Sequence, residues 1–306
     1  MDLIKTGKTI ARLRKNAGFT QASLSERLGV SDKAVSKWER GIACPDVSLW
    51  NRLSFLLDTD IESLIYGHEG KSEWRGVLIL DNSLPADITI FNKPLIHYLL
   101  SQFFLAGISY ITIIGDCDPI SLPGVQITIV DKLTHLNQGF TCSTFFIYGN
   151  SFLYGPNLTK HFKRAMSRTD GITVISSMRR KGQYPIEVNA DRKAKLTKDV
   201  ALNQYYAEPL VFVPASCKSA QYSSFDDVLK SRMNAETIGR GMMFFNVHTY
   251  EEVFRFSEYV KLAEELTGER IGCIEEILVR RGLADYDDVK TICDKDTKEY
   301  LKGLFQ

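Results

Sequence analysis

Apolar residues follow two different periods along this chain. Up to residue 67 they recur at helical intervals: Ile10 and Leu13, Leu24 and Leu28, Val35 and Trp38, then Leu49, Leu53, Leu56, Ile61 and Leu64. Such spacing places them on single helical faces and predicts a small all-α unit. From Arg75 onward, short apolar runs take over. Those at 77–80, 110–114, 126–130, 144–148 and 172–175 read as strands, with others near 186–189, 209–213 and 242–246. Helices are predicted between them, one with Asn92 as N-cap and Pro94 in its first turn, another over about 157–169. Alternation of this kind predicts helices covering a mostly parallel sheet. Beyond about residue 250 the pattern is helical again, with Val253, Phe254, Val260, Leu262 and Leu266 as its apolar stripe. The polar stretch starting at His68 reads as a linker, so the expected domains are 1–67 and 75–306, joined by 68–74.

Within the first unit the local signals are specific. Thr20 can cap a helix from Gln21 to Leu28, and Gly29 supplies the permissive backbone that ends it and allows a sharp turn. Ser31 caps the next helix, with Asp32 well placed against its positive N-terminal dipole. Val35 and Trp38 then face inward, which leaves Lys33, Ala34, Ser36 and Lys37 outward before Gly41 ends the helix. Arg14 on the preceding helix is a candidate ion-pair partner for Glu39. Such a pair is expected as a structural clamp, whose exposed part contributes little.

Charge adds to this picture through its distribution. The net charge is only +1, which excludes a globally basic coat, but residues 1–40 carry nine Lys/Arg against four Asp/Glu. One face of the first unit can therefore be basic although the chain is not. The six cysteines show no paired spacing, which argues for reduced thiols and against zinc fingers or a disulfide framework. The five histidines make no metal-ligand spacing, so no metal and no cofactor are expected. The apolar stretch 95–115 is interrupted by His97, Gln102, Gly107 and Tyr110. It reads as a helix followed by a strand, not as a membrane span. With an N-terminus that runs straight into a charged helix, these features lead to an expectation of a cytoplasmic protein.

The run from Gln21 to Gly41, QASLSERLGVSDKAVSKWERG, closely resembles the lambda Cro/repressor helix-turn-helix family, and the resemblance extends over all of 1–67. It implies double-stranded DNA as partner. In that family the position of Gln21 holds a phosphate, and those of Asp32, Lys33 and Lys37 face base edges in the major groove. Ser31, Ala34 and Ser36 complete the expected contact set. Lys33 and Lys37 lie on one helical face, where they either read guanine edges or touch phosphate. One such domain reads few bases, so a homodimer or homotetramer on a two-fold operator is expected.

From Arg75 onward the chain is similar to the sugar nucleotidyltransferases, specifically the glucose-1-phosphate thymidylyltransferases. The residues that carry this are RGVLIL at 75–80, NKPLIHY at 92–98, LAGI at 105–108, YGNSFLYG at 148–155, Gly239-Arg240-Gly241 and CIEEI at 273–277. The resemblance implies a Rossmann-like α/β fold with a helical C-terminal tail. Its departures are chemical. The family needs a glycine-rich loop after the first strand to wrap a triphosphate. Here Asp81 follows Leu80, and Asn92 is reached after eleven residues. Where the family positions two magnesium-binding aspartates, this chain has Asn150 and Asn246, which removes two negative charges. Tyr184 and Glu187 are candidates for a sugar site. Arg270, in the 265–280 segment that matches the family's second nucleotide-sugar site, is a candidate for a diphosphate.

The expectation is a DNA-binding transcriptional regulator whose nucleotidyltransferase-like domain is a pseudoenzyme. That domain would sense a sugar nucleotide or sugar phosphate, drive oligomerisation, or do both. The alternative left open is an active sugar-1-phosphate nucleotidyltransferase carrying a DNA-binding appendage.

Overall fold

The computed structural model describes residues 2–57, 64, 74–131, 142–179, 183–198, 204–217, 224–239 and 241–305. Residues 68–73 of the expected linker 68–74, and Ile61, lie outside that set. The chain forms two compact units, 1–72 with 280–282 and 73–279 with 283–306.

The first unit is built from α1 (Leu3–Asn16), α2 (Gln21–Leu28), α3 (Asp32–Glu39), a 3-10 turn (Val47–Leu49) and α4 (Trp50–Leu56). Its start and stop signals act as local chemistry requires. Thr20 Oγ1 accepts the Ser23 N–H at 3.0 Å while Ser23 Oγ accepts the Thr20 N–H at 2.9 Å, a reciprocal cap. Gly29 takes φ +73° and ψ +32°, left-handed geometry that a side chain would strain. Ser31 Oγ then accepts the Ala34 N–H at 3.2 Å and starts α3. Ile10, Leu24, Leu28, Val35, Trp38, Leu53 and Leu64 close the core.

The Arg14–Glu39 pair forms the expected clamp, with little of it exposed. Arg14 Nε lies 2.5 Å from Glu39 Oε1, with the two side chains only 10% and 8% exposed. Arg14 also donates to the Phe19 carbonyl at 2.6 Å, and Gln21 Nε2 donates to Glu39 Oε2 at 2.7 Å. Three helices are thus joined at one carboxylate. Helical spacing locates the partners but does not show how deeply they sit.

The second unit contains a nine-stranded sheet. Its strands are β1 (Trp74–Ile79), β4 (Tyr110–Ile114), β5 (Gln126–Val130), β6 (Ser143–Tyr148), β8 (Ile172–Arg179), β9 (Pro185–Val188), β10 (Lys193–Leu196), β11 (Gln204–Val213) and β12 (Met233–Ile238), in the order β5-β4-β1-β6-β11-β8-β12-β10-β9. β5, β4, β1 and β6 are parallel, but β11 runs antiparallel to both β6 and β8, and β10 is antiparallel to its neighbours. The sheet is therefore mixed. Short links such as the one from β9 to β10 leave room only for a hairpin, because a parallel pair needs a crossover of a dozen residues or more. At Gly76 an added Cβ would lie 2.7 Å from the Phe103 ring, so strand and helix meet there only because the side chain is missing.

Two small ribbons pair β2 (Thr89–Ile90) with β3 (Lys93–Pro94), and β7 (Ser151–Tyr154) with β13 (Met243–Asn246). The helices are α5 (Leu95–Leu105), α6 (Leu158–Met166), α7 (Phe225–Leu229), α8 (Tyr250–Thr267), α9 (Ile274–Arg281), α10 (Tyr286–Val289) and α11 (Lys295–Phe305). Among the described residues no helix is long and apolar enough to cross a membrane.

Two local expectations change. Asn92 does not cap α5, because the β2–β3 ribbon holds it in a turn and the helix begins at Leu95. The N–H groups of Leu95 and Ile96 are satisfied by the carbonyls of Ile88 and Ala86, while Asn92 Nδ2 donates to Glu264. On α8 the buried positions are Phe256 and Val260, flanked by partly buried Val253. Phe254, Leu262 and Leu266 of the expected stripe are 57–76% exposed, as is Tyr250.

Replacing Glu39 by Ala should destabilise the first unit by about 3–5 kcal/mol, because it strands a buried guanidinium and an amide. Replacing Arg14 and Glu39 together by Met and Leu should recover most of that loss. Urea unfolding of the three proteins checks both outcomes. Equal stability of wild type and Glu39→Ala would contradict them.

Candidate functional site

On α3 the outward positions form a compact set. Asp32, Lys33 and Lys37 are exposed, and Ala34 and Ser36 are half-buried beside them. Asp32 Oδ1 accepts the Lys33 N–H at 2.7 Å, which holds its carboxylate on the first helical turn. Lys33 and Lys37 are one turn apart, so their ammonium groups project from the same side. Gln21 belongs to a different network. Its amide serves the Arg14–Glu39 clamp, and holding a phosphate with that side chain would cost the bond to Glu39.

In the second unit a polar site forms where β1 and β6 end. The Gly149 N–H donates to the Ile79 carbonyl at 2.7 Å, bringing the two strand ends together. Ser151 and Asn246 are register partners across β7 and β13. Asn150 is buried, and its Nδ2 donates to Asp81 Oδ1 at 3.2 Å and to the Val247 carbonyl at 2.9 Å. Both partners are pure acceptors, which fixes the amide orientation. Ser151 Oγ bridges the Tyr148 carbonyl, at 2.9 Å, and Asn246 Oδ1, at 3.1 Å.

The one carboxylate in this network is already partnered. Asp81 Oδ2 is in direct contact with His248 Nδ1, and Asp81 Oδ1 accepts both the Ser83 N–H at 2.9 Å and Ser83 Oγ at 2.7 Å. Partial burial pushes the Asp81 carboxyl up, but the hydrogen bonds from His248 and Ser83 outweigh it and hold the group below the usual carboxylate range. The hydrogen bond to Asp81 raises His248, against an opposing effect of burial. His248 was not singled out from the sequence, since a histidine far from its partner in the chain carries no spacing signal.

The resemblance to nucleotidyltransferases implies a magnesium site at these positions, and the donor set does not fit it. A hard divalent cation takes anionic oxygens. Here two neutral amides are engaged with protein acceptors and donors, and Asp81 is neutralised by a histidine. No group of three or more acidic, His or Cys side chains able to hold a metal exists among the described residues.

The other candidate residues are dispersed. Tyr184 packs edge-on against Phe225, with centroids 5.0 Å apart, and Phe225 also meets Tyr148 at 5.7 Å. Burial and neighbouring Asp226 push the Tyr184 hydroxyl up. Glu187 is exposed on β9, where Lys195 lies 3.0 Å away and Thr197 Oγ1 donates at 3.3 Å. Arg270 lies apart from both. Its guanidinium stacks over the Tyr300 ring at 5.0 Å and donates to Thr297 Oγ1 at 2.8 Å. A cavity of about 160 Å³ lies beside the C-terminal end of β4, lined in part by Ala86, Asp87, Ile96, Asp116, Cys117 and Asp118. Its three carboxylates disfavour a phosphate there.

The first unit is a helix-turn-helix domain, and the second is a nucleotidyltransferase-like α/β domain. Residues 10–64 match the helix-turn-helix family model. A glucose-1-phosphate thymidylyltransferase of Neisseria gonorrhoeae is 22% identical over 244 residues, covering 67% of this chain and 84% of that protein. Its counterpart from Mycolicibacterium smegmatis is 23% identical over 256 residues, covering 71% and 87%. Among solved structures, HddC from Yersinia pseudotuberculosis superposes with a TM-score of 0.43 at 10% identity, covering 60% of this chain and 98% of HddC.

The Asp81–His248 pair sets a pH dependence whose sign follows from the two shifts. The raised His248 adds stability that is full below its unfolded value of about 6.5 and is lost as pH rises through the folded one. The lowered Asp81 adds stability that is full above about 3.9 and is lost as pH falls through its folded value. The pair should therefore stabilise most between those values. Urea midpoints of wild type and His248→Gln should differ most near pH 5.5 and converge toward pH 9. A gap independent of pH would show that the pair does not titrate in this way.

Proposed function

We propose that this chain is a sequence-specific transcriptional regulator. Its first unit binds a two-fold operator as a homodimer or homotetramer. Its second unit binds a sugar nucleotide or sugar phosphate as an effector and performs no nucleotidyl transfer. The DNA-binding half follows from the helix-turn-helix match and from the exposed Lys33 and Lys37 on α3. The sensing half rests on the likeness to thymidylyltransferases together with one observation: Asn150 is bonded to Asp81, which is paired with His248, and Asn246 is bonded to Ser151 beside them. A transferase must stabilise charge that develops on a transferring phosphoryl group, and metal ions and cationic clamps do that. The one anionic group here, Asp81, is already paired with His248. The eleven residues between Leu80 and Asn92 also include no glycine, so they lack the flexible turns of a phosphate-wrapping loop.

One observation favours a second reading, in which the α/β unit serves only to assemble subunits. Tyr250, Phe254, Leu262 and Leu266 leave α8 with much of its large apolar surface in water. Exposed apolar patches of this kind mark interaction sites. The two readings are compatible if assembly is the property that the effector biases.

Two experiments test the proposal. Full-length protein with magnesium, a nucleoside triphosphate and glucose-1-phosphate should release no pyrophosphate above background. The Asn150→Asp/Asn246→Asp double variant should remain inactive, because the triphosphate would still lack its loop. Steady turnover by the wild type would promote the active transferase instead. Titration with nucleoside diphosphate sugars should raise the melting temperature and change operator affinity together, within the roughly 5- to 150-fold range of ordinary allosteric coupling. A free triphosphate that outperforms every sugar nucleotide would reverse the assignment of the effector.

A further inference from the structure

α6 turns toward solvent a face of a single charge sign. Leu158, Phe162 and Ala165 bury its inner side. At 100° per residue the opposite side carries Lys160, Lys163, Arg164 and Ser167, and the first three are exposed cations. No Asp or Glu occurs from Asn157 through Thr169, and Arg168 extends the run.

The ground beneath this face adds to the charge. Glu236 of β12 is fully buried, and three cationic or protonatable groups converge on it. His161 Nδ1 lies 2.8 Å from its Oε1, Arg164 Nε lies 3.5 Å from the same oxygen, and Arg192 NH1 donates to Oε2 at 3.1 Å. Both arginine side chains remain substantially exposed, at 51% and 40%. Glu236 neutralises one of the positive charges that meet on it, and Lys160 and Lys163 place two further cations on the same exposed face. Lys193 and Asp170, next to it, cancel each other.

Its shape bears on what could bind. From Lys160 to Arg164 the helix rises about 6 Å, and Arg168 lies beyond its end, so the cations are spread along an axis and do not converge on a point. Small anionic ligands are held by convergent donors in concave sites. A line of cations instead matches a line of phosphates, which in duplex DNA repeats every few ångströms along the axis.

We infer that the α6 face binds the sugar-phosphate backbone of the duplex whose bases the helix-turn-helix domain reads. This rests on the regulator reading above and deepens it. The α/β unit contributes affinity through counterion release and carries no sequence discrimination. Both units belong to one chain, so DNA held by the first is presented to the second at a raised local concentration.

The test uses full-length protein and two duplexes of equal length, one selected from a random pool by the wild type and one of random sequence. Binding is followed by fluorescence anisotropy across about 50 to 300 mM KCl. In the Lys160→Gln/Lys163→Gln variant the slope of log Kd against log salt should be shallower by about 1.8, the value for two lost phosphate contacts. Affinity at 0.1 M salt should fall roughly 60-fold, the value for the same two contacts. The loss should be equal on both duplexes, and melting temperature should be unchanged, since neither lysine is part of the core. The Lys160→Glu/Lys163→Glu variant should bind more weakly still. Lys37→Ala, by contrast, should lose more on the selected duplex than on the random one. If the wild type binds neither duplex at low salt, the regulator reading falls and takes this inference with it. If the wild type binds and the Lys160→Gln/Lys163→Gln variant keeps its slope, only the α6 inference is overturned. A variant that keeps the slope but loses its thermal response to a sugar nucleotide would likewise overturn it, and would assign the face to an effector's phosphates.

Discussion

A carboxylate removed from water must be met by donors, and in this protein the donors come from elements distant in sequence. Glu39 draws Arg14 from α1 and Gln21 from α2. Glu236 draws His161 and Arg164 from α6 and Arg192 from the β9–β10 turn. Glu264 on α8 accepts from Lys93 Nζ, from Asn92 and from the Ile271 N–H. Asp81 closes on His248. Losing one partner from such a set leaves an uncompensated charge, which costs far more than the intact set contributes. Apolar packing fills both units. These polar junctions decide which elements lie together, because a wrong pairing would bury a charge alone.

The same rule bears on the site at the ends of β1 and β6. Two carboxylates at the positions of Asn150 and Asn246 would need a cation between them, and without one they would repel each other and Asp81. Amides remove that demand. Asn150 can donate to Asp81 and Val247 at once, something a carboxylate cannot do. His248 then supplies the one positive charge that Asp81 needs. The network is satisfied from within the protein, so the local fold does not depend on a bound metal to balance its charge.

Much of this was legible in the sequence where the signal is local. The caps at Thr20 and Ser31, the left-handed turn at Gly29 and the inward pair Val35 and Trp38 depend on residues a few positions apart, and all took the expected form. The strands at 110–114 and 126–130 were equally clear, since β-branched Ile, Val and Thr fill most of their positions. Legibility was lost where tertiary partners override the pattern. β12 gave no strand signal because Asn234 and Glu236 are buried polar residues held by partners from other elements. Asn92 looked like a cap until the β2–β3 ribbon claimed it. On α8, Phe254 and Leu262 count toward a stripe by hydropathy, yet the core selects Phe256 and Val260. At the site, the amide substitutions were visible from the resemblance. Their hydrogen bonds, and the pairing of His248 with Asp81, were not, because each joins segments that only the folded sheet brings together.

For the two halves to form one regulator, an effector must prefer one of two states of the protein, and the size of the response is set by that preference alone. A pocket still equipped for catalysis would be a poor sensor, since it would bind substrate tightly and then consume it. In the proposed regulator, a pocket without metal ligands would bind a sugar nucleotide and release it unchanged, so that occupancy would follow concentration. The cost is affinity, because a diphosphate loses the divalent cation that would otherwise share its charge. Weaker binding suits the role. A site whose dissociation constant lies near the prevailing ligand concentration changes occupancy most when that concentration changes. On the proposed reading, amides at 150 and 246 in place of carboxylates would suit a site that reports on a sugar nucleotide without turning it over.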